Sequence, residues 1–280
     1  WSTPELLDDI QTVAGEGAPF PTYDGLSFYY SRQVSGTGSL LSAPLVNLAS
    51  AEQLSVNAGG SVIYGWVSED NLRLYYSESF SNGDRVINMS TRALDTADWT
   101  AGSGLSTVNA LGPVVNPSLS RDELTIVFAR PVVIPGSSTT WDLWMGTRAD
   151  KGDDFTVFAN VSLANSDASD LHPRLSADGL TLYFTSNRNG SDWELFQATW
   201  SDATSSFGAA TPLSFFNSPG FSLQYPALSA DGMDFYFAQA PTGSSDYDIY
   251  VSHVVPAPGA VVLGIIGLSY AGWRCRRRTV

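Results

Sequence analysis

A repeat of about 50 residues constrains the fold of this 280-residue chain more than any other feature. Its clearest copy spans residues 172–199 and reads His-Pro-Arg-Leu-Ser-Ala-Asp-Gly-Leu-Thr-Leu-Tyr-Phe-Thr-Ser-Asn-Arg-Asn-Gly-Ser-Asp-Trp-Glu-Leu-Phe-Gln-Ala-Thr. Apolar residues alternate after the turn at Asp178, which predicts a strand, and Asn189-Gly190 predicts a hairpin turn before a returning strand. Two antiparallel strands alone are only marginally stable, so this unit needs neighbours.

Four further copies supply those neighbours, beginning near residues 18, 64, 116 and 225. The turn residues of the five copies lie 46, 52, 56 and 53 residues apart by subtraction: Asp24, Asp70, Asp122, Asp178 and Asp231. A period of roughly 40 to 50 residues built only from strands is typical of propeller blades. The sequence therefore predicts an all-β fold, a five-bladed β-propeller, as one domain over residues 1–252.

The N-terminal residues 1–10 stand outside the repeat, but they resemble residues 207–216, the predicted outer strand before the last copy. The last copy ends at Tyr250 without an outer strand of its own. An unpaired edge strand invites aggregation. We therefore predict that an N-terminal strand pairs with the last blade and closes the ring.

The repeat can be matched to a known family. Its pattern Pro-x-Leu-Ser-x-Asp-Gly-x-x-Leu-Tyr-Phe, followed by Asp/Glu-Leu/Ile-aromatic, resembles the WD40-like propeller repeat of the TolB type, also called PD40. The resemblance extends over nearly the whole chain to about Ser252. It implies the propeller fold but no particular activity, because propellers host many unrelated functions.

The C-terminal segment, residues 253–280, differs from everything before it. No charged residue occurs in the 20 residues 254–273, about the length that a helix needs to cross a bilayer core of roughly 30 Å. The arginines that follow oppose translocation of the end, so the sequence predicts a C-terminal transmembrane helix with the propeller outside. These arginines are Arg274, Arg276, Arg277 and Arg278.

The order of elements in this segment resembles the PEP-CTERM sorting signal of exopolysaccharide-producing Gram-negative bacteria. Its motif residues here are Val255, Pro256 and Pro258, with Ala257 where the family usually has glutamate. The resemblance implies an exosortase-type processing enzyme as a partner. It also implies export to the outer face of the cytoplasmic membrane and, after cleavage, release to the envelope, cell surface or medium. A plain C-terminal anchor is the alternative.

Charge and composition exclude several classes of function. The formal net charge is −14, and without the four terminal arginines the body has 10 basic against 28 acidic residues, or −18. So acidic a body repels phosphates, which argues against a nucleic acid as partner. The single cysteine, Cys275, and two histidines make a thiolate or multi-histidine metal centre improbable. No cofactor is predicted, although acidic loops at 166–170 and 244–249 leave calcium binding open.

The candidate site lies where the blades converge. The residue before the proline of each copy leads into the innermost strand, and these residues differ between copies: Ala18, Tyr64, Asn116, His172 and Tyr225. We predict that a ligand would contact the polar and aromatic members, Tyr64, Asn116, His172 and Tyr225. The alternative is that these side chains only fill the channel.

Two classes of function remain. The first is a non-catalytic binding protein for an extracellular polysaccharide or an envelope protein. The second is a glycoside hydrolase, which would need two or three carboxylates converging in the channel, roughly 5 to 10 Å apart. The inferred ring contains none, and no Gly-x-Ser-x-Gly nucleophile motif occurs. We therefore predict no catalytic residues and favour the binding function.

Overall fold

A computed structural model describes residues 1–56, 59–133, 139–190 and 192–255 of the chain. Its strands form five antiparallel sheets arranged as the blades of a propeller, which confirms the predicted fold class. Four sheets contain four strands, and the fourth blade has a fifth, short strand beside its third. The described helices are single turns: two 3-10 helices at Asp8–Ile10 and Leu48–Ser50, and one α-helix, α1, at Ser106–Asn109.

The strands follow one another blade by blade along the chain. In order they are β1 (Glu5–Leu6); β2 (Gly15–Pro21), β3 (Ser27–Val34), β4 (Thr37–Pro44) and β5 (Glu52–Gln53); β6 (Ser61–Val67), β7 (Arg73–Ser79), β8 (Arg85–Thr91) and β9 (Ser103–Gly104); β10 (Val115–Leu119), β11 (Thr125–Val132), β12 (Thr140–Thr147) and β13 (Val157–Asn160); β14 (Asp170–Leu175), β15 (Thr181–Ser186), β16 (Glu194–Ser201), β17 (Ser206–Phe207) and β18 (Thr211–Pro212); β19 (Phe221–Leu228), β20 (Asp234–Pro241) and β21 (Asp248–His253). The innermost strands are β2, β6, β10, β14 and β19.

The core lies between neighbouring blades, and the second strand of each blade contributes buried apolar residues to it. On β7, Leu74, Tyr75 and Tyr76 are consecutive and all buried, although their side chains alternate between the two faces of the sheet. Both faces are covered because each sheet is packed between two others. The second strands therefore show runs of apolar residues rather than the strict alternation of a half-exposed sheet.

The turn aspartates have the same structural role in all five blades. In the fourth, Asp178 Oδ1 accepts from Ser176 Oγ at 2.6 Å and from the N–H of Leu180 at 3.0 Å, while Ser176 Oγ accepts from the N–H of Thr181 at 2.9 Å. The other four turns repeat these bonds with Asp24, Asp70, Asp122 and Asp231. Aspartate recurs in the sequence because the turn uses it, not because it binds a metal.

The N-terminal strand closes the ring as predicted. β1 pairs antiparallel with β21, with Leu6 opposite Tyr250, and forms the outer strand of the fifth blade. The N–H of Ser2 donates to the carbonyl of His253 at 2.7 Å, and the side chain of Ile10 is buried against the first blade. The first and last segments of the propeller are therefore held together by backbone pairing and by apolar contact.

The predicted C-terminal helix and most of the sorting motif, from Pro256 to the terminal arginines, lie outside the described residues. Val255 is the last described residue and is exposed. Within the described ranges, no helix has the length and apolar character needed to span a membrane.

Candidate binding site in the central channel

Five residues at equivalent positions of the innermost strands form a ring around the channel. Ala18, Tyr64, Asn116, His172 and Tyr225 all have left-handed backbones, with φ between 51° and 60°. At each of them the pairing between first and second strands shifts by a bulge. A left-handed backbone costs a non-glycine residue on the order of 1–2 kcal/mol. The conformation recurs in every blade, so the fold imposes it; we call these residues the channel ring.

Serines of the preceding blade hold two members of the channel ring. The N–H of Tyr64 donates to Ser31 Oγ at 3.0 Å, and the N–H of Asn116 donates to Ser77 Oγ at 2.6 Å. Both serines occupy the same position on the second strand of their blade. Each bond satisfies a buried N–H that the bulge has removed from the strand ladder.

Three of the four predicted site residues meet at the axis. The ring centroids of His172 and Tyr225 are 3.9 Å apart, and the Tyr64 ring lies 5.9 Å and 6.1 Å from them. Tyr64 Oη donates a hydrogen bond to the carbonyl of Pro173. Asn116 is buried in the third blade, and its Oδ1 has no hydrogen-bond partner among the described residues.

The aromatic members of the channel ring are uncharged at neutral pH. Burial lowers the pKa of His172 to about 3 and raises the pKa of Tyr64 to about 12. Burial also raises the pKa of Tyr225, and nearby Tyr247 and Tyr64 add to that shift. The aromatic members of the ring are therefore neutral, and the partly exposed Tyr225, together with Ala18, lines an open space.

That space is a cleft of about 220 Å³ at the end of the channel where the innermost strands begin. We call this end the upper mouth. The cleft is lined by Gly15, Glu16, Gly17, Ala18, Ser31, Gln33, Ile63, Gln224, Tyr225, Ser245 and Tyr247. Gln224 Nε2 donates to Tyr247 Oη at 2.6 Å, and Tyr247 Oη donates to Ser222 Oγ at 3.0 Å, so both side chains are oriented.

Glycine is required at one place in this cleft. A Cβ on Gly17 would lie 2.9 Å from the Tyr225 ring, closer than real Cβ contacts. The absence of a side chain at Gly17 therefore lets the Tyr225 ring pack closely against its backbone. The sequence predicted Tyr225 as a site residue but not Gly17, Gln224 or Tyr247. The repeat motif has no distinctive residue at these three positions.

One carboxylate lines the cleft. Glu16 Oε1 accepts from Thr12 Oγ1 at 2.6 Å and from Arg32 Nε at 2.9 Å, while its buried Oε2 has no hydrogen-bond partner in the described part of the chain. As the second oxygen of a carboxylate that is ion-paired with Arg32, Oε2 is a hydrogen-bond acceptor.

A larger cleft of about 730 Å³ opens between the first and second blades at the same end. Glycine and serine dominate its wall, including Gly36, Gly38 and Ser61, with Phe80 at its side. None of the described residues that line it has a titratable side chain, and its few functional groups give little basis for selective recognition. The smaller cleft at the upper mouth is therefore the better candidate site.

Sequence reasoning also missed Arg174, two residues beyond His172 on β14. Its side chain lies in the channel, 2% exposed, with its guanidinium carbon 4.7 Å from the Phe20 ring and 4.9 Å from the Tyr64 ring. The equivalent residues of the other copies are Phe20, Trp66, Ser118 and Ala227. The sequence did contain a signal: Arg174 is charged, whereas the residues at the equivalent position of the other four copies are uncharged.

Metal binding gains no support from the described ranges, in which no cluster of three or more His, Cys, Asp or Glu side chains could hold an ion. In the acidic loop at 166–170, Asp170 is ion-paired with Arg188 at 2.6 Å and accepts from Ser166 Oγ at 3.0 Å. These contacts account for a buried carboxylate at Asp170 without a bound cation.

The comparisons with known proteins identify the fold. No protein-family model matches the chain, and no curated protein matches it. Among solved structures, it is similar to a TolB-type protein from Agrobacterium tumefaciens (TM-score 0.54, 16% identity, 90% of this chain and 83% of that one). It also resembles TolB from Acinetobacter baumannii (TM-score 0.55, 14% identity), matching 87% of this chain and spanning about half, 55%, of that protein.

The chain is also similar to an α-L-arabinofuranosidase from Lactobacillus brevis (TM-score 0.62, 13% identity, 91% of this chain and 94% of that one). At these identities the likeness shows the fold alone. The neighbours therefore support a TolB-like propeller, and they include both TolB proteins and a glycoside hydrolase.

Proposed function

We propose that this protein is an exported, non-catalytic β-propeller that binds a glycan or a protein at the upper mouth of its channel, with a glycan favoured. The observation that carries the proposal is the chemistry of the 220 Å³ cleft. Tyr225 and Tyr247 offer aromatic surface, and Gln224 is held in place beside them by its hydrogen bond to Tyr247.

These groups suit a sugar. The face of an aromatic ring packs on the apolar face of a pyranose, while a side-chain amide can bond its hydroxyls. Pockets for drug-sized ligands begin at about 300 Å³, so this smaller cleft fits one sugar residue at the end of a chain. Of the four residues predicted from sequence, Tyr225 would contact the ligand directly. Tyr64 and His172 would support it from below.

A glycoside hydrolase is the alternative, and the fold is compatible with it. Hydrolysis of glycosides usually uses two carboxyl groups, about 5 to 9.5 Å apart, one on each side of the scissile bond. Among the described residues that line the cleft, Glu16 is the one acidic residue; its side chain is fully buried, and an ion pair with Arg32 engages one of its oxygens. This supports binding over catalysis.

A glycan array, followed by calorimetry on the best ligand, tests the proposal. We expect Tyr225→Ala to lower affinity at least about fivefold, because loss of an aromatic contact at the centre of a site costs more than about 1 kcal/mol. Gly17→Ala should also weaken binding by displacing the Tyr225 ring. Phe215→Ala removes an aromatic side chain that is exposed away from the cleft and is the matched control. Unchanged affinity in both cleft variants would refute this site.

Polysaccharide digestion separates binding from hydrolysis. The protein is incubated with plant and bacterial polysaccharides, and reducing ends are measured with the unaltered chain and with Glu16→Gln. We expect no release from either. Release that Glu16→Gln abolishes would establish the hydrolase instead.

We also propose that the C-terminal segment sorts the protein as its resemblance to PEP-CTERM implies. Support comes from the sequence: an uncharged span of 20 residues, the Val-Pro-x-Pro order, and the arginines behind it. Mass spectrometry of the native protein provides the test. A mature C-terminus near Pro256 supports sorting by an exosortase-type enzyme, and an intact Val280 in membranes supports a plain anchor. Full-length protein in the cytosol would contradict both.

A further inference from the structure

We propose that the central channel holds a small monovalent anion, a halide or a carboxylate group, beside Arg174 and below the channel ring. The site is formed by the guanidinium of Arg174, whose Nε and Nη1 have no hydrogen-bond partner among the residues described. Its Nη2 makes one long contact, 3.5 Å, with the carbonyl of Gly65.

The guanidinium carries a charge that no described protein group neutralises. Arg174 forms no ion pair within the described ranges, whereas Arg32, Arg73 and Arg188 each bind a carboxylate. Burial lowers the pKa of Arg174, but a guanidinium remains protonated in proteins. A buried charge without a counter-ion is strongly unfavourable, so a compensating group is required.

The aromatic groups around Arg174 cannot supply negative charge. Burial raises the pKa values of Tyr23 and Tyr64 to about 12, so both phenols are neutral at physiological pH. Phe20 and Tyr64 cover the guanidinium through their rings, which attract a cation but do not neutralise it. These contacts leave the N–H donors of Nε and Nη1 for a ligand.

The channel at this level is filled unevenly. Phe20 and Trp66 fill the side of the first and second blades with large rings. The equivalent positions of the third and fifth blades, Ser118 and Ala227, have short side chains. These short side chains leave more room beside the guanidinium than the large rings opposite them, which favours a small ion over a larger organic ligand, and water alone would leave the charge uncompensated.

Thermal unfolding of the full chain in detergent tests the proposal. The protein is melted in sodium gluconate, and chloride, bromide or acetate replaces gluconate at constant ionic strength. An ion that binds only the folded state should raise the melting temperature by roughly 5–10 °C at one hundred times its dissociation constant. Gluconate is bulkier than chloride, bromide or acetate, so it serves as the reference anion against which the smaller anions are compared.

Two variants identify the residue responsible. Arg174→Met keeps the length of the side chain without its charge and should abolish the response to halide. Arg130→Met is the matched control, because Arg130 also covers an aromatic ring, that of Trp144, but in the third blade. It should keep the full response. An equal response in both variants, or none in the unaltered chain, would overturn the proposal.

Diffraction from bromide-containing crystals of the unaltered chain gives an answer even if Arg174→Met does not fold. We expect an anomalous peak within hydrogen-bonding distance of Arg174 Nε or Nη1. Acetate is the second arm: density for a carboxylate there, without bromide, would identify a carboxylate as the preferred ligand. Water alone at this position in both crystals would refute an anion site.

Discussion

Substitution of Glu123 by glutamine should destabilise the propeller through loss of a buried charge. Glu123 replaces the turn glycine in the third copy and has a left-handed backbone, with φ of 60°. Its carboxylate accepts from Arg73 Nε and Nη2, both at 2.7 Å, and from Tyr75 Oη at 3.1 Å; Lys151 Nζ lies 3.3 Å away. Glutamine keeps the shape of the side chain but leaves these cations without their anion.

The expected loss of stability is about 3 kcal/mol, the low end of the 3–5 kcal/mol measured when one partner of a buried ion pair is removed. The low end applies because the side chains of Arg73 and Lys151 are 23% and 50% exposed, so water partly solvates them, while Glu123 is 1% exposed. For a domain of this size, that loss corresponds to a melting temperature lower by roughly 6–12 °C.

The pH dependence gives a second readout. Burial alone would raise the pKa of Glu123, but the hydrogen bonds and charges of Arg73 and Lys151 outweigh it and hold the pKa below its usual value. The stabilisation is therefore complete above the unfolded-state pKa of about 4.3 and is lost as the pH falls through the lower folded-state pKa. The difference between Glu123→Gln and the unaltered chain should accordingly be full at pH 7 and shrink in acid.

Calorimetry from pH 3 to pH 8 measures both effects. Glu69→Gln is the matched control, because it removes the exposed ion pair with Arg121, and exposed pairs contribute little. We expect it to leave the melting temperature nearly unchanged. Equal effects of Glu123→Gln and Glu69→Gln would refute the idea that burial makes the Glu123 cluster strong.

Three further predictions concern closure, turns and acid stability. Deletion of residues 1–10 should expose the edge of β21 and cause aggregation, visible by light scattering; a monomer with unchanged melting would contradict closure. Asp178→Ala should cost about 1 kcal/mol, because it removes two hydrogen bonds of the turn, whereas Asp178→Asn, which keeps an acceptor, should cost less in urea titrations. His172 is neutral in the folded protein, so the unfolded chain is protonated first as the pH falls, and the free energy of unfolding should decrease below about pH 6.5. His172→Gln should make this decrease smaller than it is in the exposed control His253→Gln. An identical pH dependence of the two variants would contradict the prediction.

The fold could be predicted from the sequence because the repeat encodes its turns directly. Asp178 and its equivalents mark the end of each innermost strand, and the hydrogen bonds of these turns explain why the residue recurs. Closure by the N-terminal strand could also be predicted, because residues 1–10 resemble an outer strand that the last copy lacks.

The site was less predictable because it depends on how the blades converge. The sequence located Tyr64, His172 and Tyr225 near the axis, but not the bulge that turns their backbones left-handed. Arg174 differs from its repeat equivalents, yet its lack of a counter-ion follows only from the positions of all five blades. Glu123 stands where the first, fourth and fifth copies have glycine, and only the packing of Arg73 beside it shows what the charge does.

The aspartate turns and the channel ring are under different physical constraints, and the difference indicates where a ligand would bind. At the turns, the side chain of aspartate is itself part of the structure, because it accepts the hydrogen bonds that shape the backbone. At the channel ring, the preceding blade holds the backbone, as when Ser31 binds the N–H of Tyr64, so the fold does not specify the side chain. Residues as different as Ala18 and Tyr225 therefore occupy equivalent positions. Side chains of the channel ring can therefore vary without altering the structure of the blades. For that reason we expect ligand recognition at the channel ring and not at the aspartate turns.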